Sequence, residues 1–182
     1  AMDGKLSIED RFLLGQSLEH YRHLVNQVEE ITAVIKQYVL ERFEREYSLL
    51  IELPGVSAIV ACVILSEIGP NVEAFQSQGN LASWAGVCPG SYESAGIKKS
   101  SHTTQGNKYL KSSLFQAGGT AGRSKDEAFH NLYARISGRS SKMKAIIACA
   151  HKMIRVIYKI LSTGEHYDAK KALGLRQQAR AN

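Results

Sequence analysis

The sequence LLIELPGVSAIVACVILSEIG, residues 49–69, decides the fold. Pro54 and Gly55 separate two apolar segments, and such a pair is typical of a tight turn between helices. Gly55 permits a close backbone approach, and N–H groups at the start of the second helix can face a phosphate. The usual hairpin motif has a glycine where Ser57 stands, and this hydroxyl can cap the helix instead. We therefore predict a helix-hairpin-helix-like element, which is either purely structural or binds DNA through Gly55 and Ser57.

Upstream of the hairpin, apolar residues recur at heptad spacing. They are Leu14, Tyr21, Val28 and Ile35 at one position, and Leu24, Ile31 and Tyr38 at the complementary one. A helix of 40 residues would be about 60 Å long, too long to be buried on a domain of this size. The pattern predicts a coiled-coil helix over residues 5–48, in a homodimer or higher homo-oligomer or folded against another segment. The alternative is one amphipathic helix that packs on its own domain.

Downstream of the hairpin, the chain predicts a compact helical domain over residues 49–165 and a basic flexible tail over residues 166–182. Helices are expected at about residues 108–121, 125–137 and 141–161, with Ser140 or Ser141 and Gly164 as the caps of the last one. Apolar residues do not alternate over any long stretch, so little sheet is expected. The fold class predicted is therefore all-α.

A loop rich in hydroxyl and basic side chains follows at residues 84–110, WAGVCPGSYESAGIKKSSHTTQGNKYL. Ser94 precedes Ala95-Gly96, two small residues that leave its hydroxyl sterically open. Ammonium groups, hydroxyls and backbone N–H groups are the donors that a phosphate accepts. The stretch is either a site where Ser94 attacks a phosphodiester or a solvated polar loop. The candidate phosphate contacts are Lys98, Lys99, Ser100, His102, Thr104, Asn107, Lys108 and Lys111.

Charge is distributed unevenly along the chain. Residues 98–182 contain 17 basic and 4 acidic side chains, whereas residues 51–97 contain 4 acidic and no Lys or Arg side chains. Such an excess favours a polyanion as partner, and the alternative is a basic surface that only keeps the protein soluble. The cysteines, histidines and carboxylates lack the spacing of metal ligands, so we predict no metal site or cofactor in this chain. No stretch is apolar enough for a membrane span.

Residues 51–160 resemble the C-terminal domain of the RuvC-like DEDD insertion-sequence transposases, the family that includes the Piv-type DNA invertases. The family often has a basic residue at the position of Gln105. The matching motifs are Trp84-Ala85-Gly86, Pro89, Ser94-Ala95-Gly96, Lys98-Lys99, Thr104-Gln105-Gly106-Asn107 and Leu110.

This resemblance implies that Ser94 is the nucleophile for DNA strand cleavage and exchange during transposition. It also implies that four acidic residues and Mg²⁺ belong to an RuvC-like domain that is absent from these 182 residues. The two domains, from different subunits, would form one composite site with a structured guide RNA bound. The chain would then be part of a bacterial or archaeal enzyme in the cytoplasm, associated with the nucleoid and inactive as an isolated fragment.

Two other functions are compatible with the sequence. The chain could be a non-catalytic helix-hairpin-helix module that binds duplex DNA without needing Ser94. It could also be a coiled-coil oligomerisation protein whose basic half is incidental, in which case it would show no salt-dependent DNA binding.

Overall fold

The computed structural model describes residues 4, 6–88, 92–94, 97–100 and 103–178, and the backbone alone for 92–94, 97–100 and 175–178. The described chain is predominantly helical, which confirms the all-α prediction, and it contains one short antiparallel strand pair. Its elements are α1 (Ile8–Ile51), α2 (Ala58–Ile68), a 3₁₀ turn (Glu73–Phe75), α3 (Gln78–Trp84), β1 (Tyr92–Ser94), β2 (Ile97–Ser100), α4 (Lys108–Arg123), α5 (Glu127–Ser137), α6 (Lys142–Thr163) and α7 (Ala169–Gln178).

The chain divides into two units, residues 1–38 and residues 39–182. The first unit is helical from Ile8 onward, as the heptad pattern predicts. Ser7 begins this helix, because its hydroxyl accepts the N–H of Asp10 at 3.0 Å and its own N–H donates to the Asp10 carboxylate at 3.2 Å. This reciprocal pair is a capping box. The large apolar side chains from Leu6 to Tyr38, except that of the half-buried Val25, are 45–84% exposed, and pairing of this helix with a second one stays a prediction.

The second unit begins within α1, at Val39. Val39, Tyr47 and Leu50 are buried in its core, and Phe43 has a non-helical backbone (φ −139°, ψ 37°). After Ile51 the chain turns and enters α2, so the predicted helix, tight turn and helix are confirmed.

The core of this unit is centred on α4, α5 and α6, which pack against one another, with α2 against α4 and α3 against α6. Helix α6 has the N-terminal and C-terminal caps that the sequence predicts. Ser141 accepts the N–H of Lys144 at 3.3 Å, and Gly164 ends the helix with φ 67°. The fully buried large side chains that α4, α5 and α6 contribute are Leu110, Leu114, Phe129, Met153, Ile154 and Ile157.

The segment after α6 packs back on the same unit. The carboxylate of Glu52 accepts the N–H of Tyr167 at 3.2 Å and lies 2.7 Å from Nδ1 of His166. The Tyr167 hydroxyl donates to Asp126 at 2.9 Å, and burial, followed by this bond, raises the pKa of Tyr167. Residues 169–178, within the predicted tail, form α7. In the described part of the chain no helix is both long and apolar enough to cross a bilayer.

Candidate functional site: the serine loop

Ser94 lies in a short hairpin rather than in an irregular loop. β1 and β2 pair antiparallel, with Ser94 opposite Ile97 and Glu93 opposite Lys98. Only two residues, Ala95-Gly96, connect the strands, a length typical of tight hairpins. Ser94 is therefore the last paired residue of β1. Lys98 of β2 pairs with Glu93, the residue directly before Ser94.

Two glycines close the base of this segment. We name residues 87–105 the serine loop. Gly86 (φ 71°) and Gly106 (φ 57°) face each other so closely that a Cβ on Gly86 would lie 2.6 Å from the carbonyl oxygen of Gln105, and a Cβ on Gly106 would overlap the backbone of Gly86. The N–H of Asn107 also donates to the carbonyl of Trp84 at 3.1 Å. The two family motifs that contain these residues thus form one backbone crossing, which holds both ends of the loop together.

Asn107 joins the loop base to two helices. Its side-chain oxygen accepts the N–H groups of Tyr109 (3.0 Å) and Leu110 (2.9 Å), which caps α4. Its amide nitrogen donates to the Glu67 carboxylate of α2 at 2.5 Å. The predicted phosphate contact at Asn107 would use the one remaining amide hydrogen, since the other groups are engaged within the protein.

Three further candidate phosphate contacts, Thr104, Lys108 and Lys111, lie at the base of the serine loop. The Lys111 ammonium donates to the carbonyl of Thr104 at 2.7 Å, so it fixes the end of the serine loop to α4. The Lys108 ammonium lies 5.2 Å from the centroid of the Tyr109 ring. Lys98, Lys99 and Ser100 belong to β2, and His102 lies outside the described residues.

The hairpin candidates lie elsewhere on the domain. Ser57 caps α2, as proposed from the sequence, and accepts the N–H of Val60 at 3.3 Å. A Cβ on Gly55 would lie 2.8 Å from the nitrogen of Ala121, so the close approach is to α4 of the same chain. Because Ala121 is 14 residues beyond Asn107, the hairpin and the loop base are about 20 Å apart along α4. DNA binding by the hairpin stays a prediction.

Sequence reasoning missed a cation beside the start of the loop. Arg155 of α6 donates through Nε to the side-chain oxygen of Gln78 at 3.1 Å. Burial raises the pKa of the Cys88 thiol, and the charge of Arg155 partly opposes this effect. Burial, followed by Arg155, lowers the pKa of His151. No local pattern marks Arg155, because its partner is 77 residues away. Among the described residues, His, Cys, Asp and Glu side chains form no group of three that could hold a metal ion.

Comparisons with known proteins match part of this chain to a family model. The model of the Transposase IS116/IS110/IS902 family matches residues 47–134. The chain is 27% identical over 156 residues to the putative transposase y4pF/y4sB of Sinorhizobium fredii, which covers 82% of this chain and 39% of that protein. It is 28% identical over 158 residues to the pilin gene-inverting protein of Moraxella lacunata. That alignment covers 84% of this chain and 48% of the Moraxella protein.

The chain thus spans less than half the length of these relatives. The family match includes the hairpin, the serine loop, α4 and most of α5. Residues 47–134 therefore match the domain of the IS116/IS110/IS902 transposase family.

Proposed function

We propose that this chain is the serine-bearing part of a DNA transposase or invertase, and that Ser94 is its nucleophile. The observation that carries the proposal is the crossing of Gly86 and Gly106, which closes the loop containing the Ser94 hairpin directly before the N-terminal turn of α4. Lys108 and Lys111 lie in that turn, within the range that matches the transposase family.

The reaction assigned to Ser94 is an exchange of phosphate esters. The serine oxygen forms a bond to phosphorus, a deoxyribose oxygen leaves, and the serine proton passes to a base. Cations at the phosphate oxygens stabilise the charge of the transition state. In this proposal Lys98, Lys99, Lys108 and Lys111 supply that positive charge and orient the phosphodiester.

The Mg²⁺ expected by family resemblance does not fit the described residues, which lack a cluster of metal ligands. The proposal therefore places the metal with acidic residues of an RuvC-like domain outside this chain and assigns no step here to it. Guide RNA is a further proposed partner of the complete enzyme.

The test of Ser94 uses the complete transposase with its RNA and Mg²⁺. Ser94→Ala should abolish strand exchange and leave DNA binding nearly unchanged. A Ser94–phosphate adduct should be trapped on nicked DNA and mapped by peptide mass spectrometry, with Ser100→Ala as the matched control. Wild-type recombination in Ser94→Ala, which a non-catalytic DNA-binding module predicts, or an adduct at Ser91 or Ser100, would refute this assignment.

Nucleic-acid binding by the basic half can be tested on the 182-residue chain. About six phosphate contacts would weaken binding roughly 10³-fold between about 50 and 200 mM salt. Lys98→Glu combined with Lys99→Glu should reduce affinity and flatten this salt dependence. Unchanged binding in the double variant would show that the serine loop does not contact phosphates.

Homodimerisation through residues 6–38 is the third part of the proposal. The exposed apolar side chains of this helix support it, because a seam of heptad residues is stable when a second helix covers it. Val28→Asp with Ile35→Asp should convert dimers to monomers in sedimentation, whereas Asn26→Asp with Ala33→Asp, off the seam, should not. A monomeric mass for the unchanged chain at tens of micromolar would contradict the proposal.

A further inference from the structure

Two exposed aromatic side chains flank the base of the serine loop. Trp84 is 40% exposed and Tyr109 is 62% exposed. Every other aromatic side chain that the structure describes between residues 39 and 174 is buried or half-buried. Among the side chains described in the compact unit, the exposed Phe, Tyr and Trp residues are thus confined to those adjoining the Gly86–Gly106 crossing.

Asn107 holds both residues in place. Its N–H donates to the carbonyl of Trp84, and its side-chain oxygen accepts the N–H of Tyr109. The Trp84 ring packs on Phe75, with centroids 5.2 Å apart and planes tilted by 56°. The indole therefore packs against the protein on the Phe75 side, and 40% of the Trp84 surface is open to solvent.

Lysine side chains lie near the Tyr109 ring. Lys108 lies over the Tyr109 ring, and Lys111 follows in the same turn of α4. Among the described residues neither lysine forms an ion pair with a carboxylate. Aromatic faces interleaved with lysines are typical of surfaces that bind single-stranded nucleic acid, where rings stack on bases and cations neutralise the backbone.

We propose that Trp84 and Tyr109 stack on unpaired DNA bases next to the phosphodiester that enters the serine loop. This inference rests on the proposed function. Bases within an intact duplex are already stacked on their neighbours, whereas strand cleavage and exchange leave bases unpaired beside the nick. The aromatic pair captures such bases and thereby keeps the opened strand beside Ser94.

The chain contains a single tryptophan, so its fluorescence reports directly on Trp84. The 182-residue chain is titrated with an end-labelled oligothymidine strand, an abasic strand of equal length, an oligouridine strand and a duplex. We expect oligothymidine to quench Trp84, and the abasic strand and the duplex to bind without quenching it.

Tyr109→Ala should weaken oligothymidine binding roughly 5- to 150-fold, since stacking contributes about 1–3 kcal/mol per base, and leave the abasic strand unaffected. Met143→Ala is the matched control, because Met143 is an exposed apolar residue between Lys142 and Lys144 and should change neither affinity. Tyr109 is exposed, so circular dichroism of Tyr109→Ala should match that of the unchanged chain.

Two outcomes separate this inference from the function on which it rests. Absence of binding to any strand would refute DNA binding by the chain, and the platform with it. Equal affinity for thymidine and abasic strands, with unchanged Trp84 emission, would refute the aromatic platform alone. Quenching by oligouridine without quenching by oligothymidine would overturn the assignment to DNA.

Discussion

Two adjacent glycines in α4 should respond in opposite directions to the same substitution. A Cβ on Gly118 would lie 2.7 Å from the nitrogen and 3.1 Å from the Cα of Ala150, in α6. A Cβ on Gly119 would meet its nearest atom, in the Ile146 side chain, at 3.6 Å, an ordinary contact distance. Both residues lie in the helix interior, so both substitutions gain the same intrinsic helix propensity.

The expected magnitudes follow from these distances. Replacing a helical glycine with alanine stabilises by about 1 kcal/mol when the new methyl group has room. Gly119→Ala should therefore raise the free energy of unfolding by up to about 1 kcal/mol. Gly118→Ala forces the α4 and α6 backbones apart, and overpacking of this kind costs about 1–3 kcal/mol. The atoms it would meet belong to the backbone and cannot rotate away, so we expect a cost near the upper end of this range. After the gain of about 1 kcal/mol in helix propensity, the net loss in the free energy of unfolding is about 2 kcal/mol.

Urea unfolding followed by circular dichroism measures the difference between the two variants. A gap of about 3 kcal/mol corresponds to roughly 6–12 °C in Tm for a unit of this size. Equal stability of Gly118→Ala and Gly119→Ala would refute the close packing of α4 against α6 at Ala150.

Three further predictions concern the loop base and the segment that follows α6. Gly106→Ala leaves no room at the backbone crossing and adds the strain of a positive φ, so strand exchange by the complete enzyme should fall sharply while circular dichroism is retained. Asn107→Asp keeps the cap of α4 but places two carboxylates together, so unfolding free energy should drop by about 2 kcal/mol at neutral pH and recover when Glu67→Gln is added. The hydrogen bond from His166 lowers the pKa of Glu52. The stabilisation that ionised Glu52 gives the folded state is therefore present above the ordinary glutamate pKa and is lost as the pH falls through the lowered pKa. The stability difference between wild type and Glu52→Gln should therefore shrink on acidification; a difference that grows toward low pH would reverse this sign.

Several elements could be predicted because their signals are local. The heptad residues predict the helical unit that contains Val28, and Ser141 and Gly164 bound α6 within a residue or two. Caps and helical periodicity involve neighbours at most four residues apart, so the sequence alone reveals them. The family motifs also directed attention to Ser94, although its role as nucleophile stays a proposal.

The contacts that build the candidate site were not predictable in the same way. Asn107 meets Glu67 across 40 residues, and Arg155 meets Gln78 across 77. Such pairs depend on the angles and distances at which helices pack, which no local pattern specifies. The same limit applies to the start of the compact unit. The sequence predicts the coiled-coil helix over residues 5–48, whereas the compact unit begins at Val39, whose side chain is buried in its core.

The sequence by itself determined where the helices up to α6 lie and that positive charge is concentrated after residue 97, since propensity, capping and charge are properties of each residue and its near neighbours. Only the tertiary structure decided that Gly55 serves the approach of the hairpin turn to α4, and that Gly86 and Gly106 cross to close the serine loop. The physical reason is that a glycine in sequence signals freedom of the backbone, whereas the atom that occupies the space of its missing Cβ comes from a distant part of the chain.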